Sequence, residues 1–162
     1  MEIWDIYDEN RNRTGRTIVR GEAFNQGEYY VCAEVWVKNS KGEFLITKRH
    51  PDKKFGLMWE FTGGGTLTGE TTRASIKREL FEETGIVQEE DDFRYIATNK
   101  RRNYFQDIFL LVKDIDLKDL TLSPAETIDA KWVTEEELCR IYEKGEFVHT
   151  VWDRFLKYKS LI

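Results

Sequence analysis

Three glutamates in the stretch RELFEETG, namely Glu79, Glu82 and Glu83, are spaced so that a single helical turn would carry them together. At about 100° per residue, Glu82 and Glu83 lie about 60° and 40° to either side of Glu79, so all three project within an arc of about 100°. Alone, such a cluster reads as a solvated acidic face, because carboxylates at these spacings repel by only about a few tenths of a kcal/mol per pair. The neighbourhood points elsewhere. Gly63, Gly64 and Gly65 precede the helix, Gly69 and Glu70 lead into it, and Gly85 ends it. Glycines allow tight turns and the close approach of a ligand to backbone, which a merely solvated helix does not require. Carboxylate oxygens facing such a loop suit a hard divalent cation, and Mg²⁺ in particular binds through few carboxylates plus the phosphates of a substrate. The ion would let a glutamate cluster and a diphosphate meet, polarise a P–O bond and acidify a bound water. A remaining glutamate can accept the proton of that water, while backbone amides, as at Gly64 and Gly65, or basic side chains hold phosphate oxygens.

Further candidates are basic. Lys48 and Arg49 end a strand that leads toward the glycine loop and can bind phosphate, or serve only as surface charge on an edge. In NKRRNYFQD, Arg101 and Arg102 lie beside Tyr104 and Phe105, a set that can hold phosphate and stack on a base; a solvated turn with core aromatics explains it equally. Trp59 and Cys32 read as packing residues, and His50 and His149 are isolated.

The elements that must position these groups follow from patterning. Two β-rich runs in YYVCAEVWVKNSKGEFLITKR flank the turn Asn39-Ser40-Lys41-Gly42 and predict a hairpin over 29–49. A first hairpin is expected around 2–10 and the run after Gly15, with later strands at 93–99, 104–112 and 128–133. Helices are expected at 71–84, closed by Gly85; at 134–144, with Thr134 and Glu137 as a capping box; and at 149–160. In the first, Arg78 stands four residues before Glu82 and can pair with it, while Ala74 and Phe81 lie opposite the carboxylates and are expected to pack on a sheet. Irregular alternation of strands and helices implies an α/β domain, a mixed sheet covered by helices.

At 162 residues the chain suits a single domain, 1–162, that buries one sizeable core, with the first hairpin, about 1–20, as an extension. It is 40% hydrophobic and 34% charged with two prolines, the profile of a folded protein. A net charge of −5 offers no general attraction to a nucleic-acid polymer. Cys32 and Cys139 lack C-x-x-C spacing, which argues for reduced thiols and against zinc. The opening MEIWDIYDEN is acidic where a signal peptide would be basic, and no apolar run approaches the roughly 20 residues of a membrane helix, so a cytoplasmic location is expected.

From Gly64 to Ile86 the sequence resembles the Nudix box, G-x5-E-x7-R-E-U-x-E-E-x-G-U, at every fixed position: Gly64, Glu70, Arg78, Glu79, Leu80, Glu82, Glu83, Gly85 and Ile86. A chance match is on the order of one in ten million for a chain of this length. The resemblance implies a Nudix α/β/α sandwich and hydrolysis of a nucleoside diphosphate derivative, or a similar small diphosphate, with Mg²⁺ or Mn²⁺. It implies that Glu82 and Glu83 bind metal, that Glu79 binds metal or acts as base, that Arg78 orients a carboxylate and that the Gly63 carbonyl adds a ligand. Glu126, in SPAETIDAKWV, falls where relatives often carry a further catalytic or metal-binding glutamate, and a plain loop or helix-start acid explains it as readily. Relatives commonly form homodimers. Thr62 stands where many members have proline. The N-terminal fifty residues are similar to the isopentenyl-diphosphate isomerase-like branch. True isomerases there carry a cysteine in the segment after the tryptophan matching Trp59, and this chain reads WEFTGGG. Two alternatives to hydrolysis stand beside it: that isomerisation, and a nucleotide-sensing module without catalysis.

Overall fold

The computed structural model describes residues 1–162. Nine strands and three α-helices occur in chain order: β1 (Ile3–Tyr7), β2 (Arg13–Val19), β3 (Tyr30–Lys38), β4 (Phe44–Arg49), β5 (Trp59–Glu60), β6 (Thr62–Gly65), α1 (Thr72–Thr84), β7 (Arg94–Lys100), β8 (Tyr104–Val112), β9 (Thr127–Val133), α2 (Glu135–Glu143) and α3 (His149–Tyr158). Strands β1 and β2 form the expected first hairpin as a sheet of their own. The other seven form a mixed sheet of order β5-β4-β3-β8-β7, with β6 also on β3 and β9 on β4.

The expected hairpin over 29–49 closes only at its turn. Lys38 faces Phe44, and there the β3–β4 pairing ends. The segment 59–65 enters as a wedge: β5 pairs with Thr47 and Lys48 of β4, and β6 pairs with Cys32 to Val35 of β3. On its other edge β3 runs parallel to β8 from Tyr30↔Tyr104 to Lys38↔Val112. Apolar residues on both faces of β3 account for this arrangement, since a strand buried on both sides belongs in the middle of a sheet.

Alternation along β3 and β8 divides the core in two. Ala33, Val35, Val37, Phe109 and Leu111 pack with Ile76 and Leu80 of α1. Trp36, Ile108 and Leu110 pack on the opposite face with Leu138 and Ile141 of α2 and Val151, Trp152 and Phe155 of α3. The result is the α/β/α sandwich. Helix α1 is capped by the Thr71 side chain and ends at Gly85, whose φ of 75° is the left-handed conformation glycine favours. Its orientation corrects the expectation for Phe81, which is 56% exposed; Ile76, Leu80 and Glu83 are the residues turned inward. Of the acidic side of α1, Glu83 is therefore buried and Glu79 half-buried, while Glu82 stays exposed. The first hairpin is docked by Arg11, which gives a two-pronged ion pair to buried Asp107 of β8 (2.7 and 2.5 Å). Asp107 also accepts from Thr72 and Thr98, so hairpin, helix and sheet meet at one carboxylate.

Candidate active site

Strand β6 has three consecutive glycines, and each meets a different neighbour. A Cβ on Gly63 would lie 2.7 Å from the Ala33 carbonyl oxygen, one on Gly64 would lie 2.3 Å from the Glu79 carboxyl, and one on Gly65 would lie 2.7 Å from the Trp4 indole. None of the three has a positive φ. What they supply is room: the strand lies flat on β3, admits the Glu79 carboxyl beside it and accepts the edge of Trp4.

Arg78 organises the acidic side of α1. Its Nε and Nη2 donate to the two oxygens of Glu70 (2.8 and 3.0 Å), Nη1 donates to Glu79 (2.7 Å) and Glu82 (3.2 Å), and Nη2 also donates to the Gly65 carbonyl (3.1 Å). The guanidinium fork thus ties the helix to the glycine strand. Burial pushes the Glu70 carboxyl up, but the Arg78 hydrogen bonds outweigh it and hold it below the usual range. For Glu79, burial prevails over Arg78 and raises the carboxyl. Glu83 is 5% exposed, its Oε2 is buried without a hydrogen-bond partner, and burial together with the charges of Glu60 and Glu79 drives it far upward.

Glu79, Glu82 and Glu83 line one cavity of about 280 Å³ with Gly63, Gly64, Gly65, Arg49, Lys53, Glu60 and Glu126. Glu60 pairs with Arg49 at 2.5 Å, yet burial, aided by Glu34, pushes its carboxyl up to about 7. Glu126 pairs with Lys53 at the rim. No three acidic, histidine or cysteine side chains converge closely enough to enclose an ion here, and Arg78 holds Glu79 and Glu82 as its own partners. The donor set nevertheless fits a divalent cation. An orphaned carboxylate oxygen on Glu83, with Glu60 and Glu79 as like-charged neighbours, is a buried negative site lacking its counter-charge.

Of the residues singled out by sequence, Gly63, Gly64, Gly65, Glu79, Glu82, Glu83, Arg49 and Glu126 line the cavity, and Arg78 braces it. Lys48, Arg101, Arg102 and Tyr104 do not. Lys48 lies over the Trp59 ring at 5.5 Å; Arg101 and Arg102 are exposed in the β7–β8 turn; Tyr104 packs on Tyr30 at 5.4 Å. Sequence reasoning missed Glu34, Glu60, Gln106 and Arg154. Two signals were available. Glu34 is the one charge inside the apolar run of β3, and Arg154 lies among Val151, Trp152 and Phe155 on the apolar face of α3. They form a buried ion pair, Arg154 Nη2 to Glu34 Oε2 at 2.5 Å.

Comparison with known proteins agrees with the geometry. Residues 29–153 match the family described as "NUDIX domain". An uncharacterised Nudix hydrolase of Listeria monocytogenes is 39% identical over 150 residues, which cover 91% of this chain and 89% of that protein. An isopentenyl-diphosphate Delta-isomerase of Corynebacterium diphtheriae is 28% identical over 163 residues, covering 94% and 89%. A crystal structure of a Deinococcus radiodurans protein superposes with a TM-score of 0.75 at 24% identity, over 91% of this chain and 92% of that one, a likeness of fold alone.

Proposed function

The chain belongs to the Nudix hydrolase family and is a diphosphohydrolase, and from that premise we propose that it cleaves, with a divalent metal, the diphosphate bond of a nucleoside diphosphate derivative or similar small diphosphate compound. The observation that carries the reading is Glu83, whose buried and unpartnered oxygen sits among the other carboxylates of the box. Glu79, Glu82, Glu83 and the Gly63 carbonyl would hold Mg²⁺ or Mn²⁺, which supplies charge neutralisation and Lewis-acid polarisation of the P–O bond. Around it, Arg78 fixes Glu79 and Glu70, and the bare backbone of Gly64 and Gly65 lets phosphate approach. Arg49 and Lys53, now paired with Glu60 and Glu126, are placed to take phosphate oxygens. A glutamate of this set accepts the proton of the attacking water as the new P–O bond forms and the bridging P–O bond breaks; Glu126, on a loop at the rim, is a candidate for that role.

Hydrolysis is preferred to isomerisation because the segment after Trp59 contains no thiol, and because Cys32, which does line the cavity, is buried with its thiol pushed far up and engaged with Gln106. The whole chain is read as one domain acting on small molecules in the cytoplasm. No helix is long and apolar enough to cross a membrane. The test is release of phosphate or nucleotide from a panel of nucleoside diphosphates, dinucleotides and nucleotide sugars. Activity that survives both Glu82→Gln and EDTA would overturn the proposal.

A further inference from the structure

Apart from the box glutamates, Glu60 and Glu126, the cavity has a second set of lining residues with a different chemistry, in which the two carboxylates, Glu34 and Glu2, are already paired with Arg154 and Arg20. The rest of the set is Trp4, Tyr30, Cys32 and Gln106. Three N–H donors there lack acceptors. Trp4 Nε1 is buried and unpartnered. Gln106 accepts the Cys32 thiol proton on Oε1 (2.9 Å), and its amide nitrogen meets no acceptor. Arg154 spends Nε and Nη2 on Glu34 Oε2 (3.1 and 2.5 Å), which leaves Nη1 free. Of the three, Trp4 Nε1 is shut off from solvent, while Gln106 and Arg154, 7% and 6% exposed, keep their free N–H groups open to the cavity. A buried donor without an acceptor, as at Trp4, is costly to keep, and two further donors that open on the same cavity with no partner in the protein suit a ligand that brings oxygen acceptors.

The aromatic rings of this set are already occupied. Trp4 and Phe24 both stack on Tyr30, at 4.7 Å and 5.2 Å between centroids, and the Arg20 guanidinium lies over Trp4 at 6.0 Å. Both faces of Tyr30 are therefore covered, and a nucleobase would find no bare ring on which to stack. Space points the same way, because about 280 Å³ must hold the diphosphate as well, at the small end of ligand cavities.

We propose that this part of the cavity is the subsite for the group carried by the diphosphate, and that it takes a compact, oxygen-rich, non-aromatic group of the size of a pentose, recognised by Trp4, Gln106 and Arg154. This rests on the hydrolase reading and narrows its substrate class to sugar-like diphosphates.

The test compares KM, with Mg²⁺, for three probes: methyl diphosphate, ribose 5-diphosphate and ADP. In the wild-type enzyme the KM for ribose 5-diphosphate should be about tenfold or more below that for methyl diphosphate, and ADP should gain no further advantage over it. Trp4→Phe keeps an aromatic ring, though a smaller one, and deletes the N–H; Gln106→Leu removes the amide. In each the ratio of the methyl diphosphate to the ribose 5-diphosphate KM should fall toward one. Both constants come from the same active fraction, so partial misfolding of a variant cancels. A wild-type ratio near one, a ratio that persists in both variants, or an ADP KM about tenfold below that of ribose 5-diphosphate would overturn the subsite and leave the hydrolase standing. No hydrolysis of the three probes by an enzyme that cleaves a member of the nucleotide panel would overturn the subsite alone; no hydrolysis of any probe or panel member would overturn the hydrolase reading, and the subsite with it.

Discussion

At the scale of single residues, Glu83 is held where folding would not choose to put it. Its carboxylate is buried beside Glu60 and Glu79 with one oxygen unpartnered. Glu83→Gln keeps the shape and removes the charge, so metal-free protein should gain thermal stability while activity drops about a hundredfold or more, the pattern of a site strained for function. Melting curves in EDTA, read beside initial rates in Mg²⁺, check both halves; a variant less stable than wild type would show that the charge is already compensated. Arg78 makes the complementary case. Lysine in its place keeps the charge but loses the fork that holds both Glu70 oxygens and reaches Glu79 and Glu82 at once. Arg78→Lys should lower kcat by about 10–100-fold with a smaller change in KM, measurable by steady-state kinetics.

Among the elements, strand β6 separates packing from catalysis within two adjacent glycines. Gly63→Ala would press a Cβ against the Ala33 carbonyl oxygen, backbone that cannot step aside, and should cost about 1–3 kcal/mol of stability. Gly64→Ala would strike only the end of the Glu79 side chain, which can swing away. Its melting temperature should stay near wild type while kcat falls, and equal loss of stability in the two variants would contradict this assignment. The same strand marks how far the sequence could be read. The box residues, the capping box of α2 and the limits of β8 were legible because local spacing determines them. The splayed β3–β4 pair was not. Its turn chemistry, with Asn39 Oδ1 accepting from Lys41 and Glu43, is that of an ordinary hairpin, and the wedge that opens it comes from residues 59–65. Phe81 was misplaced because helical spacing fixes which residues share a face, not which face turns inward. Glu34, Gln106 and Arg154 escaped notice because their partners lie 74 to 120 residues away in sequence.

For the whole molecule, the raised and lowered carboxylates should sum to a stability profile with a maximum in mildly acidic solution. Burial raises Asp107, but hydrogen bonds from Arg11, Thr98 and Thr72 prevail and leave it below its ordinary value. That contribution is present above the unfolded value and lost as pH falls through the folded one. Glu60 is shifted the other way, to about 7. Its folded form keeps a proton that the unfolded chain has released, so stability falls as pH rises from about 4.5 toward about 7. Metal-free protein should lose about 5 °C or more of melting temperature across that interval, and millimolar Mg²⁺ should flatten the decline; a flat metal-free profile would refute it. The parallel pairing of β3 with β8 has one further consequence, in the order of synthesis. A ribosome releases Tyr30–Lys38 long before Tyr104–Val112, so an apolar nine-residue strand must wait with one edge bare, the condition under which nascent chains stick to one another. Gln106 arrives on the strand that covers this edge. The chain cannot complete this cavity without also covering that bare edge.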